Sequence, residues 1–289
     1  MRAKPAVPIA GQPLVSRILG WAALHDVRDL VLNLHHLPET ITAHVGDGSD
    51  LGVRVRYSWE SPQVLGSAGG PRKALSLVGS DTFFIINGDT LADVDLAALA
   101  DHHAESGALV TMAVIENRWP DRYGGVVTDS RGSVYGFVPR GSPAAKYLFV
   151  GVQIAHRSVF ADLRVDEPAE SVAGVYRALI AARPASIRAF LCNGNFWDVG
   201  TPGDYLNTAL LIGRREGAPA VQIGVRSRID PSARVAESVI WDDVDVGPGA
   251  AIQRCVVADG VKIPSGARFQ NCAIIQSGSE LVVADISHG

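Results

Sequence analysis

The sequence predicts an α/β protein with a doubly wound, mostly parallel sheet, followed by a short C-terminal left-handed parallel β-helix. In the longer N-terminal part, short apolar segments alternate with amphipathic ones of helical period. After about residue 220 the pattern changes to a short repeat of fixed period. These two observations place the expected domains at residues 1–218 and 219–289.

Helices and strands of the first domain follow from the spacing of apolar residues. Over residues 13–24 they recur at intervals of three and four, which predicts an amphipathic helix, and Pro13 suits its first turn. Strands are further expected at 30–34, 53–57, 83–86, 108–115, 149–154 and 186–191, and helices at 71–77, 94–105 and 171–182.

Two of these strand segments, 30–34 and 83–86, are apolar on both faces, whereas 53–57 alternates between apolar and polar residues. Continuous short apolar segments are typical of parallel strands buried on both faces. Strands that alternate with helices at this spacing connect by crossovers. The pattern therefore predicts a mostly parallel sheet covered by helices on both sides.

The C-terminal repeat has a period of 17 residues. Residues 229–235 align with 246–252 and again with 263–269, and within each block apolar residues recur every six positions. A hexapeptide rhythm of this kind predicts a parallel β-helix of about three coils. In it Cys255 and Cys272 would stack on neighbouring coils, as small apolar side chains rather than as a disulfide.

Composition excludes several classes of protein. The 289 residues are 47% hydrophobic and 19% charged, which argues against disorder. A net charge of −4 argues against a nucleic-acid-binding protein. No apolar stretch approaches the roughly 18 residues of a membrane helix, and no signal peptide is recognisable. The three cysteines indicate a reducing compartment, so we expect a cytoplasmic location with no membrane partner.

Two aspartates are the strongest candidates for chemistry. Asn87-Gly88-Asp89 directly follows the strand at 83–86, and Asp198 follows another strand and precedes a helix that begins with a proline. Ligands of open parallel sheets bind at the carboxyl ends of strands. Magnesium is commonly held by one or two carboxylates together with phosphate oxygens. The alternative is that Asp89 is a turn residue with a capping role and that Asp198 caps the region that follows it.

Two further segments carry weaker signals. The glycine-rich residues 65–70 precede the helix expected at 71–77, and their backbone N–H groups could face a base or a phosphate. Glycine-rich turns between strand and helix are nevertheless common without a ligand. Lys4 could face a phosphate, although a lone lysine near a terminus is usually only solvated.

Taken together, these segments resemble the sugar-1-phosphate nucleotidylyltransferase family, and its mannose-1-phosphate guanylyltransferase-like members in particular. The resemblance covers essentially the whole chain, because several motifs occur in the family's order. The matching segments are KPAVPIAGQPL at 4–14, LGSAGG at 65–70, NGDT at 87–90, YGGV at 123–126 and WDVGTP at 197–202.

The resemblance implies a role for each matched position. Asp89 and Asp198 would hold Mg²⁺, and Lys4 would contact the reacting phosphates, which makes these three the candidate catalytic residues. The nucleotide would be bound by Leu65, Gly66, Ser67, Ala68 and Gly69, together with Asn87 and Gly88. The sugar phosphate would be bordered by Tyr123, Gly124, Arg140 and Gly151.

The sequence departs from the family in two places. The family's G-x-G-T/S-R-L-x-P-L loop, which grips the triphosphate, has no counterpart before Lys4. Where many relatives carry Glu-Lys-Pro, this chain has Phe137-Val138-Pro139-Arg140, so Arg140 would have to supply a substitute charge. The first departure leaves two alternatives open: an N-terminal domain whose start is trimmed or misassigned, or a catalytically inactive binding or regulatory subunit of the same fold.

The reaction implied is attack of a sugar 1-phosphate on the α-phosphorus of a nucleoside triphosphate, in line with departing pyrophosphate. GTP with mannose 1-phosphate is the favoured pair, and UTP or dTTP with another hexose 1-phosphate is the next expectation. A homo-oligomer is left open. A β-helical acyltransferase is disfavoured, because such enzymes usually use a histidine base and residues 223–275 contain no histidine.

Overall fold

The computed structural model describes residues 1–287, so the last two residues of the expected 219–289 domain lie outside the described residues. The α-helices are α1 (Leu14–Leu24), α2 (Pro38–Val45), α3 (Gly66–Ala74), α4 (Leu96–Ser106), α5 (Ser158–Ala161), α6 (Tyr176–Ala182) and α7 (Pro202–Arg215). Short 3₁₀ turns occur at Lys4–Ala6 and Ser49–Leu51, and a π-helical turn at Ser171–Val175.

Most strands are short. Those up to residue 198 are β1 (Pro8–Ile9), β2 (Gln12–Pro13), β3 (Asp29–Leu34), β4 (Arg54–Trp59), β5 (Thr82–Ile86), β6 (Thr90–Ala92), β7 (Val110–Glu116), β8 (Gly125–Thr128), β9 (Val134–Val138), β10 (Tyr147–His156), β11 (Ile187–Leu191) and β12 (Phe196–Asp198). Those that follow are β13 (Gln222–Ile223), β14 (Arg228–Ile229), β15 (Arg234–Ala236), β16 (Val239–Ile240), β17 (Asp245–Val246), β18 (Ala251–Gln253), β19 (Val256–Val257), β20 (Lys262–Ile263), β21 (Arg268–Gln270), β22 (Cys272–Ser277) and β23 (Glu280–Asp285).

The chain divides into two compact units. One, here called the α/β unit, comprises residues 19–196, and the other, here called the β-helix unit, comprises residues 1–18 together with those from 197 onward. The division differs from the simple N-terminal and C-terminal split expected from the sequence, which stays a prediction. The first eighteen residues belong with the repeats because of the contacts described below.

The α/β unit contains a mixed sheet in the order β11-β7-β10-β8-β9, with β5 also paired to β10. β11 and β7 are parallel, whereas β10 is antiparallel to β5, β7 and β8. The hairpin β8–β9 is antiparallel because a short turn joins its strands, in which Asp129 accepts the N–H groups of Arg131 and Ser133. β3 and β4 form a separate parallel pair.

Helices cover both faces of this sheet, which confirms the α/β class. Along β7, Val110, Met112 and Val114 pack on the face of α3 and α6. Ala113 and Ile115 point to the opposite face, where α4 packs. The period of two thus divides the buried residues 110–115 of this strand between two apolar cores. Strand β5 behaves as its sequence predicts, since successive side chains enter alternate cores.

Two local predictions are wrong. In β3 only Leu34 is buried, so the segment is parallel as predicted but is not covered on both faces. The glycine-rich segment does not precede a helix at 71–77, because it forms the first turns of α3 itself, with Pro71 inside the helix. Glycine's low helix propensity hid this start from the sequence analysis.

The buried His103 on α4 gives the α/β unit a pH-dependent stability. Its Nδ1 lies 2.8 Å from Thr111 Oγ1, and burial lowers the pKa of His103, with a smaller contribution from His156 and His102. The unfolded chain therefore binds a proton that the folded chain does not, once the pH falls below the ordinary histidine pKa of about 6.5.

We therefore expect the melting temperature to decrease as the pH is lowered from about 7 to about 5.5, because the unfolded state gains protons over that interval. His103→Gln should reduce the slope of melting temperature against pH, measured by thermal denaturation in matched buffers. His44→Gln, at an exposed position on α2, is the control and should leave the slope unchanged. An identical slope in His103→Gln and wild type would contradict the assignment.

The C-terminal repeat folds as predicted. Ile229 pairs with Val246 and Val246 with Ile263, all in parallel register. A second sheet brings Val235 beside Ile252. The coils are thus offset by the 17 residues read from the sequence, and their inward side chains form one continuous apolar core. This confirms the C-terminal parallel β-helix, which the hairpin β22–β23 follows.

The two cysteines of the repeat stack as predicted. Both are free, and their Sγ atoms lie 3.5 Å apart within the β-helix core. Burial raises the pKa of the Cys272 thiol to about 12, and the neighbouring Cys255 adds to this. Several residues larger than glycine adopt positive φ between the strands of this repeat: Arg226, Glu237, Asp243, Arg254 and Asn271.

Candidate functional site

The Asn87–Asp89 loop lies at the carboxyl end of β5, as the sequence predicts. The Asn87 N–H donates to the Gly151 carbonyl oxygen at 2.8 Å, which continues the pairing of β5 with β10. Gly151 has φ +79°, and a Cβ there would lie 3.0 Å from Asn87 Cβ and 2.9 Å from Thr90 Oγ1. The structure thus brings Gly151 against the loop, while Asn87 and Gly88 remain exposed.

Three of the residues predicted to border the sugar phosphate lie close together in the α/β unit. A Cβ on Gly124 would lie 2.7 Å from the Val138 carbonyl oxygen and 3.7 Å from the Arg140 backbone nitrogen. The Tyr123 ring packs edge-on against Phe196, with centroids 5.9 Å apart. The exposed Arg140 therefore follows a strand that leaves no room for a side chain at Gly124.

The glycine-rich start of α3 is packed against residues 167–170. The N–H groups of Ala68 and Gly69 both donate to the Ala169 carbonyl oxygen, at 2.8 and 3.2 Å. A Cβ on Gly69 would lie 2.6 Å from the Glu167 carbonyl oxygen. Three of the five positions predicted to bind the nucleotide here, Leu65 among them, are consequently buried, and Gly66 and Ser67 remain at least partly exposed.

A buried carboxylate braces this segment, and sequence analysis missed it. Glu60 is 7% exposed, and its Oε2 accepts the Leu65 N–H at 2.7 Å while Oε1 accepts from Asn33 Nδ2 at 3.0 Å. Asn33 Nδ2 also donates to the Gly70 carbonyl oxygen. The only signal in the sequence was a charged residue between a strand and a glycine-rich segment, which is too common to single out.

Lys4 and Asp198 both belong to the β-helix unit. Lys4 is exposed and begins the 3₁₀ turn Lys4–Ala6. Asp198 ends β12, and its backbone carbonyl accepts Thr208 Oγ1 from α7 at 2.9 Å. The N-cap of α7 is Thr201, whose Oγ1 accepts the Asp204 N–H.

Gly200 packs closely against the Asp198 carboxylate. A Cβ on Gly200 would lie 3.0 Å from both carboxylate oxygens, so a side chain at this position would crowd them. Carboxylate oxygens are the hard donors that Mg²⁺ prefers. Within residues 1–287 no group of three or more His, Cys, Asp or Glu side chains is arranged to hold a metal ion. Nor does this part of the chain contain a helix long and apolar enough to cross a membrane.

Comparison with known families agrees with this arrangement. The family described as nucleotidyl transferase matches residues 1–214. The chain belongs to the nucleotidyl transferase family. A second family, the GlmU-like C-terminal hexapeptide family, matches residues 220–270, where the coils lie.

Relatives in this family include enzymes named for different nucleotides. Mannose-1-phosphate guanylyltransferase of Mycobacterium tuberculosis is 27% identical over 271 residues, which cover 84% of this chain and 75% of that protein. UTP–glucose-1-phosphate uridylyltransferase of a Synechocystis species is 34% identical over 146 residues, or 46% of this chain and 38% of that protein. Among solved structures, HddC from Yersinia pseudotuberculosis superposes with a TM-score of 0.64 at 21% identity, over 72% of this chain and 89% of its own, and supports the fold.

Proposed function

We propose that this chain transfers a nucleotidyl group from a nucleoside triphosphate to a sugar 1-phosphate, giving a nucleotide sugar and pyrophosphate. The observation that carries the proposal is the family match over residues 1–214, within which Asn87 and Gly88 are exposed at the end of β5. The family match at 1–214 and the hexapeptide match at 220–270 also support a domain boundary near residue 218.

In this reaction a phosphate oxygen of the sugar 1-phosphate forms a bond to the α-phosphorus. The bond from the α-phosphorus to the bridging oxygen breaks, and pyrophosphate leaves with the electron pair, in line with the attack. The protein forms no covalent bond, so positioning and charge neutralisation supply the rate enhancement. Lys4 would neutralise charge on the reacting phosphates, which suits an exposed lysine at the start of a short turn.

Asp89 and Asp198 are the proposed ligands of Mg²⁺. When bound, the ion would supply neutralisation of phosphate charge. The chemistry of two carboxylates, each at or just after the carboxyl end of a strand, supports this assignment. We propose that phosphate oxygens of the substrate complete the coordination, as is common for magnesium in proteins.

Nucleotide contacts are proposed to come chiefly from Gly66 and Ser67, since Ala68 and Gly69 donate their N–H groups within the chain. N–H groups in the first turn of a helix lack intrahelical partners and suit an acceptor on a base or phosphate. Asn87 and Gly88 would contact the same nucleotide. Tyr123, Gly124, Arg140 and Gly151 are proposed to border the sugar phosphate, with Arg140 attracting its charge.

GTP and mannose 1-phosphate remain the favoured substrates. The similarity to the Mycobacterium relative, which is named as a mannose-1-phosphate guanylyltransferase, covers most of both chains and supports the preference. The uridylyltransferase relative keeps UTP with glucose 1-phosphate as the second candidate pair. Neither backbone N–H groups nor glycines distinguish strongly between bases, so binding must be measured.

Thermal shift with GTP, UTP, dTTP and ATP in the presence of Mg²⁺ tests the nucleotide site. We expect one triphosphate at 100-fold its dissociation constant to stabilise the fold by about 2.7 kcal/mol. Asp89→Asn should largely abolish the shift, whereas Asp101→Asn, at an exposed position on α4, should preserve it. If no triphosphate shifts the wild type, the proposal is wrong. A shift without turnover would favour the inactive binding subunit instead.

A further inference from the structure

The β-helix carries a pair of stacked aspartates. Asp242 and Asp259 occupy equivalent positions on successive coils, 17 residues apart, and Asp259 Oδ1 accepts the Asp242 N–H at 3.2 Å. Asp242 Oδ1 also accepts the Val225 N–H at 2.8 Å. A Cβ on Gly224 would lie 2.3 Å from Asp242 Oδ1, so a side chain at position 224 would collide with this carboxylate. Two like charges at this separation repel each other unless a cation lies between them.

Arg2 supplies that cation. Its Nη2 lies 2.6 Å from Asp242 Oδ2 and 2.6 Å from Asp259 Oδ1, and its Nε donates to Asp259 Oδ2 at 2.9 Å. The guanidinium also lies over the Trp241 ring, 5.3 Å from the centroid. The Arg2 side chain is only 11% exposed. Planar, bidentate contact with a carboxylate combined with ring stacking is geometry that lysine cannot reproduce.

The residues that follow Arg2 are held by the same unit. Tyr205, from α7, donates its hydroxyl hydrogen to the Pro8 carbonyl oxygen at 2.7 Å and accepts from Trp241 Nε1 at 2.9 Å. The Ala10 N–H donates to Gln222 Oε1 at 3.0 Å. The segment 2–10 is therefore fixed to α7 and to the coils at both ends, and Lys4 lies between those attachments.

We propose that Arg2 is a positioning residue for Lys4, so that the β-helix takes part in nucleotidyl transfer by holding the segment that carries this lysine. The inference rests on the proposed function. A lysine that neutralises charge in a transition state must be held within a fraction of an ångström, because misplacement by about 1 Å can reduce the rate by about 10²-fold. Arg2 lies two residues from Lys4 and makes three hydrogen bonds to two aspartates of the coils.

A double-mutant cycle between Arg2 and Lys4 tests this role. We expect Arg2→Gln to lower kcat by about tenfold or more with little change in KM for the triphosphate, and Lys4→Ala to lower kcat by about 10²-fold. In the Lys4→Ala background, Arg2→Gln should have almost no further effect on kcat. Residues that act as a unit are non-additive in this way. Arg2→Lys should give an intermediate kcat, since it keeps the charge and loses the bidentate contact.

Arg226→Gln is the matched control. Arg226 also pairs with an aspartate on the coils, Asp243, at 2.6 Å, but it is 67% exposed and touches no residue of the segment 2–10 in the contacts described. Its kcat should equal that of wild type. Melting temperatures of all variants identify any that are unfolded at the assay temperature. If Arg2→Gln is unfolded there, Asp259→Asn replaces it in the cycle.

The outcomes separate this inference from the function on which it rests. If the wild type turns over and the effects of Arg2→Gln and Lys4→Ala multiply, Arg2 serves stability only and the positioning role is wrong. If Arg2→Gln leaves kcat unchanged, the role is also wrong. A wild type that forms no nucleotide sugar with any triphosphate overturns both proposals.

Discussion

Asp89→Asn and Asp198→Asn are each expected to lower kcat by about 10³-fold, because each substitution removes a negatively charged oxygen from the proposed metal site. The double variant should be little worse than either single one, since two ligands of the same ion act as a unit. The measurement is pyrophosphate release at saturating substrates, over a series of Mg²⁺ concentrations.

The control for the carboxylates is Asp101→Asn, whose kcat should match that of wild type. Higher Mg²⁺ should restore part of the activity of the single variants, because weakened binding is partly offset by mass action. Two aspartate variants whose effects multiply in the double variant would show that Asp89 and Asp198 do not share an ion. Wild-type activity in either single variant would remove that residue from the site.

Gly151→Ala is expected to reduce turnover about as strongly as Lys4→Ala. At φ +79° an alanine is strained by about 1–2 kcal/mol. Its Cβ would also lie 3.0 Å from Asn87 Cβ, so the Asn87–Asp89 loop must move. We expect kcat to fall by about 10²-fold, since the loop carries a proposed metal ligand. The measurement is turnover at a temperature where both proteins are folded.

Gly136→Ala, on β9, is the matched substitution. No atom lies within 4 Å of a Cβ built there. Its stability should stay within about 0.5 kcal/mol of wild type, and its turnover should be unchanged. Equal turnover in Gly151→Ala and Gly136→Ala would mean that the loop tolerates displacement, and that the close approach of Gly151 has no catalytic consequence.

Elements with a strong period could be predicted from the sequence alone. The 17-residue offset of the β-helix coils follows directly from aligned residues such as Val246 and Ile263, because a parallel ladder repeats the same side chain at each coil. Strand β5 was equally predictable, since four consecutive apolar residues, 83–86, lie between polar neighbours and enter two cores. Here local pattern and tertiary environment agree.

The first turns of α3 could not be predicted, because tertiary contacts override propensity there. Glycines at 66 and 69 weaken a helix, yet Glu60 and the Ala169 carbonyl satisfy the N–H groups that the start of a helix leaves unpaired. Ala169 is distant in sequence from α3, and Glu60 belongs to no recognisable motif. For the same reason nothing in the sequence indicated that the N–H groups of Ala68 and Gly69, which were expected to face the nucleotide, donate to the Ala169 carbonyl oxygen.

The attachment of residues 2–10 to the β-helix was also hidden in the sequence. Arg2 and Asp259 are 257 positions apart, and neither belongs to a recognisable motif. The repeat alone places Asp242 and Asp259 one above the other. A stacked acidic pair predicts some nearby cation, but only the fold identifies it as Arg2.

Transfer of label from the α-phosphate tests the central claim most directly. The wild type is incubated with Mg²⁺, a sugar 1-phosphate and a triphosphate labelled at the α-phosphorus, and the products are separated. We predict that the label appears in a nucleotide sugar with one equivalent of pyrophosphate, that GTP with mannose 1-phosphate is the best pair, and that neither product forms when the sugar phosphate is omitted. Label that stays in the triphosphate, or passes to free nucleoside monophosphate, would contradict nucleotidyl transfer.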